Sequence, residues 1–225
     1  MKKLSLFSLI LLFCASVQAG EWKPLFNDDL SNAQFEPGIW SVDADGVISA
    51  TKDSALWSVG DYENFELKLE FKTDNGTNSG VVVYCSDIEN WIPNSVEIQI
   101  QDDTKNIENG DKPVWQNCGA IYGHLAPSKL LVKKPGEWNT MYIVCKGQNI
   151  QVTLNGEKVA DMDMSLWKSG KINPDGTEIP PWLPKPFAEM QTKGSIGFQG
   201  KHGQSFIFFR NIMIKDAELF AKRIK

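Results

Sequence analysis

Glu66-Leu67-Lys68-Leu69-Glu70-Phe71-Lys72 decides the fold. Its apolar and charged residues alternate strictly, and successive side chains of a strand leave opposite faces, so Leu67, Leu69 and Phe71 point to a core while four charges point to water. Outward from this strand, further strands are expected over Val47–Thr51, Leu56–Val59, Gly80–Cys85, Ser95–Gln101, Trp138–Lys146, Asn149–Leu154, Glu157–Met162, Ser195–Gln199 and Phe206–Lys215. Asn155-Gly156, set between two alternating runs, is a type I′ hairpin signal. No convincing helix separates these segments, and about ten strands joined by turns predict an all-β antiparallel sandwich. Lys171–Lys193 carries Pro174, Pro180, Pro181, Pro184 and Pro186, so it is read as a long loop.

The chain has 225 residues, 42% hydrophobic and 23% charged, which is an ordinary globular composition and excludes disorder as the main state. A formal charge of −5 without long Lys/Arg runs excludes the electrostatic footprint of a nucleic-acid binder. Met1–Ala19 reads as a signal peptide: Lys2 and Lys3, the apolar run Leu4–Cys14, then Val17-Gln18-Ala19 as the cleavage site. The expected mature chain is one domain over 20–225, periplasmic or secreted, with no membrane span. Cys85, Cys118 and Cys145 remain, an odd number that permits one disulfide at most.

The strand from Ser95 to Gln101 has an unusual second face. Val96, Ile98 and Ile100 alternate with Glu97, Gln99 and Gln101, and Glu97 and Gln99 stand about 6.7 Å apart on one side. The outer face of the Glu66–Lys72 strand carries charges of both signs, whereas amides and a carboxylate suit vicinal hydroxyls, with Trp91 and Trp115 nearby for stacking. A conventional glycosidase needs two carboxyl groups. Glu97-x-Gln99-x-x-Asp102 is similar to the Glu-x-Asp-x-x-Glu strand of laminarinase-like glycosidases, but the middle carboxylate is an amide, and Asp102 shares the face of Glu97 only across a β-bulge. His124 and His202 are the two histidines, both in Gly-flanked loops, and Lys201 precedes His202. Arg210 interrupts an apolar strand, so it pairs with a carboxylate or opens onto a groove.

Leu25-Phe26-Asn27, Trp40-Ser41-Val42 with Asp45-Gly46-Val47, Asn78-Ser79-Gly80, Glu97–Asp102, Gly119-Ala120-Ile121-Tyr122, Gly136-Glu137-Trp138-Asn139, Leu154-Asn155-Gly156, Gly197-Phe198-Gln199 with His202-Gly203, and Phe209-Arg210-Asn211-Ile212 follow in order along the chain. Together they resemble the 3-keto-disaccharide hydrolase family of the concanavalin A-like lectin/glucanase superfamily. The resemblance implies a jelly roll of two curved antiparallel sheets and glycosides oxidised at C3 as substrates. Tyr84 departs from the pattern, since a basic residue often closes the Asn-Ser-Gly strand.

A C3 ketone acidifies the C2 proton, so one base suffices to start a β-elimination that expels the C1 substituent. The expected roles are Glu97 or His202 as base, the other as leaving-group acid, and Arg210 with Gln99 at the enolate oxygen. Asn78, Asp102 and Tyr122 would orient hydroxyls, and Gln101, His124, Lys201, Trp91 and Trp115 complete the expected sugar contacts. The sequence specifies no particular cofactor, and Glu97, Asp102 and His202 are compatible with a divalent metal. The rival readings are a non-catalytic sugar-binding module and a conventional endo-glycosidase.

Overall fold

The computed structural model describes residues 20–217; the expected signal peptide lies outside them. Thirteen strands are found there: β1 (Lys23–Pro24), β2 (Ala33–Gln34), β3 (Trp40–Val42), β4 (Ile48–Ala50), β5 (Leu56–Ser58), β6 (Phe65–Thr73), β7 (Asn78–Cys85), β8 (Val96–Gln101), β9 (Trp138–Lys146), β10 (Asn149–Leu154), β11 (Glu157–Asp163), β12 (Ser195–Phe198) and β13 (Ile207–Asp216). The ten strands expected from alternation are all present. Three short strands, β1 to β3, are additional. A short helix, α1 (Thr104–Asn109), corrects the expectation of none, and it ends at Gly110 in the left-handed conformation.

One sheet runs β11-β10-β9-β6-β13-β4-β3, with β1 also paired to β13, and the other runs β2-β5-β12-β7-β8. All pairings within these sheets are antiparallel, which gives the jelly-roll sandwich. Asn155 and Gly156 both have positive φ, 51° and 88°, as a type I′ turn requires. Leu67, Leu69 and Phe71 of β6 meet Val96, Ile98 and Ile100 of β8 in one core, each at most 2% exposed. Burial of such side chains contributes about 1.5–3 kcal/mol each before the chain-entropy cost.

Two irregularities reset the alternation. Along β13 the register shifts between Arg210 and Met213, where Asn211 has φ 53°, so Phe209 and Ile212 both face the core although three residues apart. Tyr84, at φ 57° near the end of β7, likewise turns inward beside Val83 and donates its phenol to the Gly147 carbonyl at 2.8 Å. Cys85, Cys118 and Cys145 are buried free thiols. Burial pushes the Cys85 thiol up to about 11 and raises the other two as well, so all three stay protonated at neutral pH. No helix among the described residues is long and apolar enough to cross a membrane.

Candidate active site

The site lies on the face of the five-stranded sheet turned away from the core. On β8, Ile98 and Ile100 enter the core, so Glu97 and Gln99 must leave by the other face. They open onto a cleft of about 370 Å³ lined also by Asp53, Asn78, Trp91, Tyr122, Trp182, Gln199 and His202. A shallow depression of about 770 Å³ on the outer face of the other sheet is larger, but its acids are neutralised: Glu66 pairs with Lys215 at 2.9 Å and Glu70 with Arg210 at 2.6 Å. The smaller cleft holds the groups able to exchange protons.

Glu97 stands over Gly80 of the neighbouring strand. A Cβ at Gly80 would fall 2.3 Å from Glu97 Oε1 and 2.8 Å from its Cγ, so the missing side chain is what lets the carboxyl lie flat on the sheet. Burial, with the negative charge of Asp53 adding to it, pushes Glu97 up to about 8. The carboxyl is therefore protonated at neutral pH.

His202 Nδ1 lies 2.5 Å from Asp53 Oδ2. A proton on Nδ1, donated to that carboxylate, leaves Nε2 as an acceptor, the arrangement by which an acid fixes the tautomer of a catalytic imidazole. The two residues are 149 positions apart and meet because Gly200 packs directly on the turn before β5; a Cβ there would come within 2.5 Å of the Lys52 carbonyl oxygen. Lys201 N–H also donates to that carbonyl, at 3.0 Å.

Gln99 is 1% exposed, and its Nε2 donates to Asn78 Oδ1 at 2.9 Å and to Gln101 Oε1 at 3.3 Å. Its Oε1 accepts nothing among the described residues, a buried acceptor on a sugar-sized cleft. Residues 119–122 run along the open edge of β8: Gln99 N–H donates to the Ala120 carbonyl and Tyr122 N–H to the Glu97 carbonyl. This pairing sets the Tyr122 ring beside Glu97, and Trp115 supports it from behind, edge to face at 5.1 Å. Trp91 joins the wall edge to face with Trp57 at 6.2 Å.

Six expected contacts do not line the cleft. His124 is 3% exposed rather than displayed on a loop; it stacks on Phe187 at 3.6 Å, its Nδ1 is 2.8 Å from the Tyr122 carbonyl, and burial lowers it to about 4. Arg210 lies on the outer face of the opposite sheet, bonded to Glu70 and over the Trp138 ring at 4.0 Å. Its strand position was readable, but which sheet's outer face it occupied was not. Asp102 follows β8 without the bulge that would have returned it to the side of Glu97. It accepts from Gly76 N–H at 2.9 Å and from the Thr104 N–H and hydroxyl at 3.0 and 2.6 Å; burial raises this carboxyl, and these bonds outweigh it and hold it low. Lys201 lies over Phe206 at 3.9 Å, and Trp115 supports Tyr122 without lining the cleft. Gln101 touches Gln99 only at the margin. With Asp102 so engaged, no group of three acidic, His or Cys side chains among the described residues is arranged to hold a metal.

Asp53, Trp182 and Gln199 are site residues that sequence reading missed. Gln199 follows the motif strand β12, so period-two alternation with Gly197 places it on the cleft face. Trp182 carried a signal, an exposed Trp inside a Pro-rich loop. That loop is pinned to the 119–125 turn by Asn173, which donates to the Gly123 carbonyl at 3.2 Å, and by Leu183 packed where a Gly123 side chain would be.

The two-sheet sandwich with its polar cleft, taken with the family match over residues 21–215, makes this a carbohydrate-active protein. The chain belongs to the 3-keto-alpha-glucoside-1,2-lyase-like domain family, whose model matches residues 21–215. A candidate glycosyl hydrolase of Parabacteroides distasonis is 61% identical, with 87% of this chain and 99% of that one covered and a TM-score of 0.83. A second from the same organism is 26% identical over 88% of this chain and 94% of its own, at a TM-score of 0.67. A Bacillus subtilis protein with a galectin-like fold, 11% identical over 89% and 98% with a TM-score of 0.54, shares the fold. No curated protein matches the chain.

The state of Glu97 sets a pH dependence. Its folded pKa is raised above the unfolded value, so the stability it contributes is fully present below about 4.5 and is lost as pH rises through about 8. Glu97→Gln should therefore gain stability relative to the parent across that window, read from urea midpoints at pH 5 and pH 8.5. A constant difference between the two proteins would mean that Glu97 has an ordinary carboxylate pKa.

Proposed function

We propose that this protein cleaves glycosides whose sugar ring already carries a ketone at C3, by β-elimination. The observation that carries the reading is one carboxyl held protonated beside an imidazole fixed by its own carboxylate, an acid and a base on one cleft. A conventional double displacement uses both carboxyl groups on the sugar, whereas Asp53 is engaged by His202.

In this mechanism His202 Nε2 takes the C2 proton. The C–H electron pair forms the C2=C3 enolate, whose charge rests on the C3 oxygen and is stabilised by the amide N–H groups of Asn78, which lines the cleft. As the C3 carbonyl reforms, the pair moves to C1=C2, the C1–O bond breaks and the departing oxygen takes the proton of Glu97. The products are a 1,2-unsaturated 3-keto sugar and an alcohol, and addition of water across C1=C2 completes hydrolysis. The Tyr122 hydroxyl holds a ring hydroxyl, and Gln99 braces the Asn78 side chain through its Nε2. In this reading His202 is the base and Glu97 the acid, and Arg210, on the other sheet, has no role. The leader read over Met1–Ala19 would place the reaction in the periplasm or outside the cell.

The test incubates the protein with a disaccharide and with its 3-keto derivative, following products by mass spectrometry. Cleavage of the keto sugar alone, with an unhydrated product at early times, is expected. Release of reducing sugar from the unoxidised disaccharide would turn the reading to a conventional glycosidase, and binding without cleavage of either would turn it to a lectin-like module.

A further inference from the structure

The cleft does not end at Glu97. Ser54, Ala55 and Trp91 also line a second depression, of about 460 Å³, walled by Gln34, Phe35, Glu36, Trp57, Ile88 and Glu89. The pairing register sets the spacing. Glu97 is opposite Val82, Val82 opposite Gly197, and Gly197 opposite Trp57, so the four form one rung across β8, β7, β12 and β5. At about 4.8 Å per strand that rung is about 14 Å long. The Trp57 ring leans back over Gly197, where a Cβ would fall 2.3 Å from its Cζ3, so the apolar floor extends toward Glu97.

We propose that this second depression is the leaving-group subsite, and that it takes a neutral ring with an apolar face, such as a hexose, in preference to an anionic unit. The inference rests on the keto-glycoside reading above. A rung of this length matches two sugar units, one at Glu97 and one over Trp57. Trp57, Trp91, Phe35 and Ile88 supply apolar contact, as sugar rings require. The charged carboxylates lining the two depressions are Glu36, Asp53 and Glu89, beside the protonated Glu97 and His202 and with no Lys or Arg, so a carboxylate or phosphate on the leaving unit meets like charge without a Lys or Arg to pair with.

Three 3-keto substrates test this: the methyl glucoside, a neutral disaccharide, and a disaccharide whose leaving unit is a uronic acid. For the parent protein kcat/KM should be highest for the neutral disaccharide. Ile88→Ala should lower that value roughly tenfold and leave the methyl glucoside unchanged, because remote contacts act only on substrates that reach them. Glu36→Lys with Glu89→Lys should narrow the gap between uronate and neutral disaccharide. Equal losses on methyl glucoside and disaccharide, or an unchanged uronate gap, would overturn the subsite. If the parent cleaves none of the three, the keto reading fails by itself. Calorimetric binding of the unoxidised disaccharide and methyl glucoside then decides the subsite: weakening of the disaccharide alone in Ile88→Ala upholds it, and equal affinities in the parent overturn it.

Discussion

Glu97→Gln is expected to lower kcat/KM on a 3-keto disaccharide about 10³-fold, within the range for loss of one acid–base group. The amide keeps the shape of the carboxyl over Gly80 but has no proton to give to a departing sugar alkoxide. The loss should therefore depend on the leaving group. A nitrophenyl 3-keto-glucoside expels a stable phenolate that needs no proton, and on it the variant should stay within about tenfold of the parent. For the disaccharide, activity of the parent should fall as pH rises through about 8, where Glu97 ionises. Equal losses on both substrates would make Glu97 the base and His202 the acid, and near-normal turnover on both would remove Glu97 from the chemistry.

Gly80→Ala should separate activity from stability. The backbone of Gly80 does not have positive φ, so alanine costs nothing there in conformation and removes freedom from the unfolded chain, worth about 0.4–1 kcal/mol. Its methyl, however, occupies the place of the Glu97 carboxyl, which is the mobile end of a side chain at a cleft and can swing away. Turnover is expected to fall about 10²-fold, as for a catalytic group displaced by an ångström, with the melting temperature little changed. Gly197→Ala is the contrast: its methyl meets the ring of Trp57, which is 6% exposed and has nowhere to move, so that variant should lose about 1–3 kcal/mol of stability. Unaltered turnover in Gly80→Ala would show that the position of Glu97 is not set by Gly80.

Alternation along a strand depends on neighbours in the chain, which is why the all-β sandwich, the ten expected strands, the Asn155-Gly156 hairpin and the polar face of Glu97 and Gln99 were determined by the sequence alone. The same local rule tells which residues leave the core but not which of two outer faces they reach. Glu97 and Arg210 both point outward, and only the pairing of β8 with β7 and of β13 with β6 puts them on opposite sides of the molecule. Contacts between distant segments were equally hidden. Asp53 meets His202 across 149 positions, Phe187 buries a histidine whose glycine neighbour reads as an exposed turn, and a Pro-rich loop brings Trp182 to the cleft. Those meetings are set by how the sheets stack and where the loops fold back on them, so tertiary structure decided which side chains share the cleft with Glu97 and what walls it.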